Sequence, residues 1–253
     1  MLTNIYHCCV FKTGSQWTRA VLEHPLVKNA SGMKCYRYEN DLPNQADTRK
    51  ICERFFDAPL PENTILSPLF LSYECFDSIP KPKDYRAFFV MRDPRDIVVS
   101  WYFSMKHSHT ANNAIDRTRS KLNSMSAEEG MLKAIDVLDK TGVFMALSSW
   151  GNGYQNDKNV RLFRFEDLTG PDNIDAFLEL FEHCCIPLNR NKTKSILKDL
   201  SFEKLAGRQQ GTEDIKSHYR KGVAGDWKNH FTPEISSQFS STTGDLLTVL
   251  GYE

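Results

Sequence analysis

Short continuous apolar runs alternate along the chain with longer stretches whose apolar residues fall at helical spacing. Asn4 to Phe11 is β-branched, aromatic and cysteine-rich, which predicts a buried strand. Lys12 to Gln16 breaks that run with Gly14 and Ser15, and Trp17, Val21 and Leu22 then predict a helix over Trp17 to Leu26. Strand, Gly/Ser loop and helix in this order set backbone N–H groups and a helix N-terminus against an anion. Tyr85 to Met91 repeats the arrangement: the run YRAFFVM is a buried strand, Arg92-Asp93-Pro94 stops it, and a helix is expected over Asp96 to Met105.

The remaining pattern is more mixed. A helix is expected over Gln45 to Phe56, and a short strand over Thr64 to Leu66, ended by Pro68. Lys106 to Asn123 is polar and His-rich without a clear period, so it reads as a loop or lid. Ser126-Ala127-Glu128-Glu129 is a capping box that opens a helix to Lys140. Val160 to Phe165 reads as a strand, and Asp172 to His183 and Lys192 to Leu200 read as helices. Ala206 to Lys228 is a long Gly- and Lys/Arg-rich loop, a type that is often functional. Thr232 caps a last helix, with Pro233 in its first turn. Strand–turn–helix units in series imply an α/β fold with a central parallel sheet flanked by helices. No repeat, low-complexity tract or linker interrupts residues 1–253, which are read as one domain.

Composition narrows the function classes. The 253 residues carry 32 basic and 32 acidic side chains, a formal net charge of zero, which argues against a dedicated nucleic-acid binder. The seven cysteines include two adjacent pairs and no CxxC spacing, so neither a zinc site nor a disulfide framework is expected. No metal-ligand cluster stands out. The N-terminus lacks a basic region before its apolar stretch, and no run approaches the ~18 apolar residues of a membrane span. A cytoplasmic setting is the simplest expectation.

Three motifs carry the candidate chemistry. In Lys12-Thr13-Gly14-Ser15-Gln16-Trp17, small residues, hydroxyls, amide donors and a cation follow a strand. Lys12 precedes the only glycine, whereas a Walker A loop places its lysine after the second, so this order is wrong for a nucleoside triphosphatase. It resembles the 5′-phosphosulfate loop of sulfotransferases that use 3′-phosphoadenosine-5′-phosphosulfate (PAPS), commonly KSGTTW or KTGTT. Gln16 departs from the usual Thr, and Trp17 matches an aromatic that stacks on adenine. Around Arg92, the residues Arg92, Pro94, Asp96 and Ser100 match the family's R-x-P-x-D-x-x-x-S stretch for the 3′-phosphate. Arg92 supplies a forked, permanent cation and Ser100 a hydroxyl. Arg95 and Asp96 read instead as surface or ion-pair residues at a helix start. Arg220 to Asn229 (RKGVAGDWKN) resembles the family signature RKGxxGDWKN at every fixed position, with Trp227 expected to support the loop.

The resemblance spans residues 5 to 232 and implies the P-loop-like fold of the family. It gives Lys12 to the bridging oxygen of the leaving group and Thr13, Gly14, Ser15 and Gln16 to the 5′-phosphosulfate. Arg92, Ser100, Arg220, Lys221 and Gly222 go to the 3′-phosphate, and Trp17 and Phe202 to adenine. Phe165, where the cytosolic branch has Tyr, shifts adenine recognition from hydrogen bonding towards stacking. PAPS is the implied co-substrate, PAP its product, and no metal is required.

The base is less determined, because Leu66-Ser67-Pro68-Leu69-Phe70 has no His where the cytosolic branch carries one. Another branch uses a Glu about two dozen residues after the lysine, and Glu39 falls near that spacing. A solvated role for Glu39 is equally compatible, and Glu74, His107 and His109 are alternatives. Phe70, Tyr73, Phe103 and Met105 fit either an apolar acceptor pocket or the core. The implied acceptor is a small molecule, lipid or glycan. The rival readings are a non-catalytic PAPS- or PAP-binding protein of the same fold, and a nucleotide kinase or P-loop NTPase.

Overall fold

A computed structural model describes residues 2–253. Five strands form one sheet: β1 (Asn4–Cys9), β2 (Lys34–Tyr36), β3 (Thr64–Phe70), β4 (Tyr85–Met91) and β5 (Val160–Arg164). Their order is β2-β3-β1-β4-β5, and every neighbouring pair is parallel. The central strands are continuous apolar runs because both faces of a parallel sheet are covered. All six residues of β1 are buried.

The chain divides into two compact units, residues 1–92 with 145–200, and residues 93–144 with 201–253. The first unit holds the sheet. On one face, Ile5, Phe88, Val90 and Phe163 meet Val21 and Leu22 of the helix Ser15–Glu23 and Phe177, Leu180 and Phe181 of the helix Asn173–His183. Trp150, fully buried, stacks on Phe89 at 4.6 Å between centroids. Its indole N–H donates to the Leu71 carbonyl at 2.9 Å, so the buried donor is satisfied.

The second unit is helical. It contains Pro94–Phe103, Asn113–Asn123, Ala127–Lys140 and Pro233–Thr243, with a π turn over Ser104–Ser108. The Ser126–Glu129 capping box is formed in both directions, at 2.8 Å and 3.2 Å. Thr232 caps Pro233–Thr243, and a short helix, Leu246–Leu250, follows it.

Several sequence expectations are corrected. Residues 45–56 contain no α-helix, only a single 3-10 turn at Ile51–Glu53 and the end of another at Pro43–Gln45. Asn44 and Gln45 take positive φ. The Arg54 guanidinium donates to the Asp47, Arg49 and Phe70 carbonyls, drawing backbone acceptors away from helical bonding. β3 continues through Pro68 to Phe70. Within the expected loop 106–123 lies the helix Asn113–Asn123, whose Asn112 cap accepts from the Ala114 and Ile115 N–H groups. It buries only Leu122, which explains its missing apolar period. β5 stops at Arg164, and Phe165 opens the next helix. The sequence reading also missed β2 and the helices Val143–Gly153 and Phe202–Ala206.

Candidate active site

In the first unit, the loop after β1 turns on two left-handed residues, Lys12 at φ 69° and Gly14 at φ 77°. A lysine pays ~1–2 kcal/mol for that backbone geometry, so surrounding contacts must hold it there. The Arg92 Nη1 donates to the Lys12 carbonyl at 3.0 Å, and Thr13 Oγ1 donates to the Val10 carbonyl at 2.9 Å. With its hydroxyl engaged and its side chain buried, Thr13 offers an incoming anion its backbone rather than its side chain.

The helix begins at Ser15 with Gly14 as N-cap, and no side chain caps it. Its first N–H groups are therefore the orphan donors that favour an anion. Half-buried Lys12 has its ammonium pKa pushed down to about 8, chiefly by burial and then by the Arg92 charge. Gln16 is exposed. The Trp17 indole N–H donates to the Leu200 carbonyl at 2.8 Å, and its ring meets Phe177 edge-on at 5.5 Å.

Phe165 lies against this loop. The Arg92 guanidinium carbon is 4.4 Å from its ring centroid. A Cβ placed on Gly14 would come within 2.7 Å of the same ring.

In the second unit, the basic glycine loop is built around two buried carboxylates. Asp226 accepts from Lys221 Nζ at 2.6 Å, from Asn229 Nδ2 at 2.9 Å and from Arg220, with His230 Nε2 at 3.2 Å. Burial raises the Asp226 pKa, but the bonds from Lys221, Asn229 and Arg220 outweigh it and hold the carboxyl well below the usual range. Asp96 accepts from the Gly225 N–H at 2.7 Å and the Trp227 N–H at 2.9 Å. Asp96 is thus a buried loop brace and not a surface residue. Arg95 pairs with Asp93 at 2.8 Å and lies 3.8 Å over the Trp227 ring.

Arg220 also pairs with Glu213 and lies 4.3 Å over Phe103. Gly222 is left-handed, at φ 71°, and the Phe202 ring occupies the space a Cβ would need. Ser100 is half-buried in Pro94–Phe103.

The candidate bases differ sharply in setting. Glu39 is 5% exposed; it pairs with Arg37 at 2.5 Å and Arg54 at 3.9 Å and is therefore not a solvated carboxylate. Arg54 also bonds the Phe70 carbonyl at 3.2 Å and lies 5.7 Å over Phe11, which ties this cluster to the ends of β1 and β3. Glu74 and His109 are exposed, and His107 is half-buried. The His107 pKa is lowered by burial and by the charges of Lys106, Arg119 and Lys216. His7, in β1, is sealed: its Nδ1 is 2.7 Å from Ser67 Oγ, its ring stacks on Phe88 at 4.9 Å, and burial lowers its pKa to about 3. It stays neutral and inside the sheet.

Sequence reasoning missed Arg54 and the bracing roles of Asp96 and Asp226. The last two stand in the motifs, but nothing in a motif shows which neighbour a carboxylate serves.

Comparison with known proteins gives the family. The sulfotransferase domain profile matches residues 5–251. Cytosolic sulfotransferase 1 of Arabidopsis thaliana is 26% identical over 90% of this chain and 73% of its own length. Cytosolic sulfotransferase 10 of the same plant is 24% identical over 92% of this chain and 74% of its own. Among solved structures, mouse sulfotransferase SULT7A1 complexed with PAP superposes with a TM-score of 0.64 at 18% identity, covering 99% of this chain and 89% of that one. Retinol dehydratase in complex with androsterone and inactive cofactor PAP gives 0.62 at 16% identity, covering 96% and 80%. No helix among the described residues is long and apolar enough to cross a membrane.

Proposed function

The chain belongs to the sulfotransferase family of enzymes, and from that premise we propose that it moves a sulfuryl group from PAPS to a hydroxyl or amine of a small-molecule, lipid or glycan acceptor, releasing PAP. The observation that carries this reading is the Lys12 loop: a lysine in left-handed backbone geometry, at the start of an uncapped helix, with Arg92 on its carbonyl. The residues fit the donor's chemistry. Uncapped N–H groups and a cation suit the 5′-phosphosulfate, and Arg220 and Lys221 beside left-handed Gly222 suit a phosphate monoester.

PAPS supplies an activated sulfuryl group whose departure leaves negative charge on the 5′-phosphate. Lys12 holds a proton and a positive charge for that phosphate, while the N–H groups after Gly14 orient it. The family motifs assign Arg92, Ser100, Arg220, Lys221 and Gly222 to the 3′-phosphate, and Trp17 and Phe202 to adenine. On the acceptor side, Glu39 is the proposed base, its carboxylate oriented by Arg37 and Arg54. Residues 1–253 are proposed to form one sulfotransferase domain, and the cytosolic relatives support a cytoplasmic setting.

The test is acceptor-dependent release of PAP from PAPS across a panel of phenols, alcohols, amines and sugars. The expected result is release with at least one acceptor class, loss of about a thousandfold in Lys12→Ala, and a lower rate with unchanged PAP affinity in Glu39→Gln. PAP binding with no release from any acceptor would favour the non-catalytic reading.

A further inference from the structure

We propose that Phe165 is a positioning residue that acts through Arg92 and Gly14 to hold the Lys12 loop, and is not a recognition residue for adenine. The inference rests on the sulfotransferase reading of the site. Phe165 follows β5 directly and opens the helix Phe165–Thr169. Its carbonyl accepts from Thr169 Oγ1 at 2.8 Å, and Leu168 beside it is fully buried, so its backbone is fixed by the sheet and core.

The ring from that fixed point makes two contacts. One is a cation–π stack with the Arg92 guanidinium at 4.4 Å, and the other is the close cover over Gly14. Arg92 in turn donates to the Lys12 carbonyl. The four residues form a closed circuit: ring on guanidinium, guanidinium on the Lys12 carbonyl, Lys12 through Thr13 to Gly14, and Gly14 under the ring.

Both left-handed residues of the loop, Lys12 and Gly14, lie on that circuit. A guanidinium held over an aromatic ring is fixed in place by it, and so is the carbonyl it bonds. Gly14 is required twice, for its positive φ and for the space the ring occupies. A phenylalanine ring makes both contacts without a hydroxyl.

The experiment measures PAP binding by calorimetry on the full chain, for wild type, Phe165→Leu and Phe165→Tyr. Each is repeated in an Arg92→Lys background, which keeps the charge and removes the planar stack. The expected result is about a tenfold loss for Phe165→Leu, a change under about threefold for Phe165→Tyr, and a loss under about threefold for Phe165→Leu in the Arg92→Lys background. An equal loss in both backgrounds, no loss in either, or PAP binding more than about threefold tighter in Phe165→Tyr would overturn the proposal.

Amide hydrogen exchange across residues 12–16, without ligand, separates this inference from the reading it rests on. Exchange at least about tenfold faster in Phe165→Leu, confined to that loop and restored in Phe165→Tyr, supports positioning even if PAP fails to bind. Unchanged exchange, or a rise spread over the whole chain, contradicts it. Phe165→Met replaces the leucine variant if that variant does not fold.

Discussion

Lys12 is the residue on which the proposed chemistry turns, and its setting implies a specific pH dependence. Its ammonium has lost solvent and faces Arg92, so its pKa falls from 10.5 to about 8. A lysine titrates from charged to neutral as pH rises, so the cation is present below pH 8 and lost above it, well before an ordinary lysine would lose it. The PAP affinity of wild type should therefore hold near pH 7 and fall about tenfold by pH 9. Lys12→Arg, which stays charged, should flatten that decline. Calorimetry across this range checks it, and a wild-type affinity that stays level to pH 9 would show that Lys12 contributes no charge to the bound phosphate.

The 220–229 loop shows what a motif supplies and what it hides. Its sequence names three cations and two glycines, but its shape depends on the buried Asp226 and on Asp96, 129 positions from Gly225. Asp226→Ala should lower stability by about 2–4 kcal/mol, because Lys221 and Arg220 lose a partly buried counter-ion. PAP should bind more weakly in the same variant; thermal melting and calorimetry check both.

Legibility followed the same division. β1 and β4 were readable because parallel strands buried on both faces are largely apolar runs. The Ser126 capping box was readable because its bonds are local. The helix Asn113–Asn123 was not, since one buried leucine leaves no period. Residues 45–56 read as helical because the Arg54 bonds that hold them open cannot be seen in a linear sequence. The proposed donor-site residues come from motifs and Glu39 from spacing alone, whereas the Phe165–Arg92–Gly14 circuit needs three separate chain segments in place.

At the scale of the whole molecule, a net charge of zero means that anion affinity must come from placement and not from bulk charge. The first unit places Lys12 and Arg92 at one loop, and the second places Arg220 and Lys221 around one buried aspartate. The family match over residues 5–251 takes in both units. On the proposed function, the chain binds a nucleotide carrying both a 3′- and a 5′-phosphate, and Arg92 answers the 3′-phosphate.

Calorimetry of PAP binding without metal, on wild type and Arg92→Ala, with adenosine 5′-phosphate as the ligand lacking the 3′-phosphate, tests that claim most directly. The expected result is PAP binding to wild type and, in Arg92→Ala, a loss of about thirtyfold for PAP that exceeds the loss for adenosine 5′-phosphate, which carries only the share owed to the Lys12 loop. PAP that does not bind, or that binds Arg92→Ala as tightly as wild type, would contradict it and return the P-loop NTPase reading to first place.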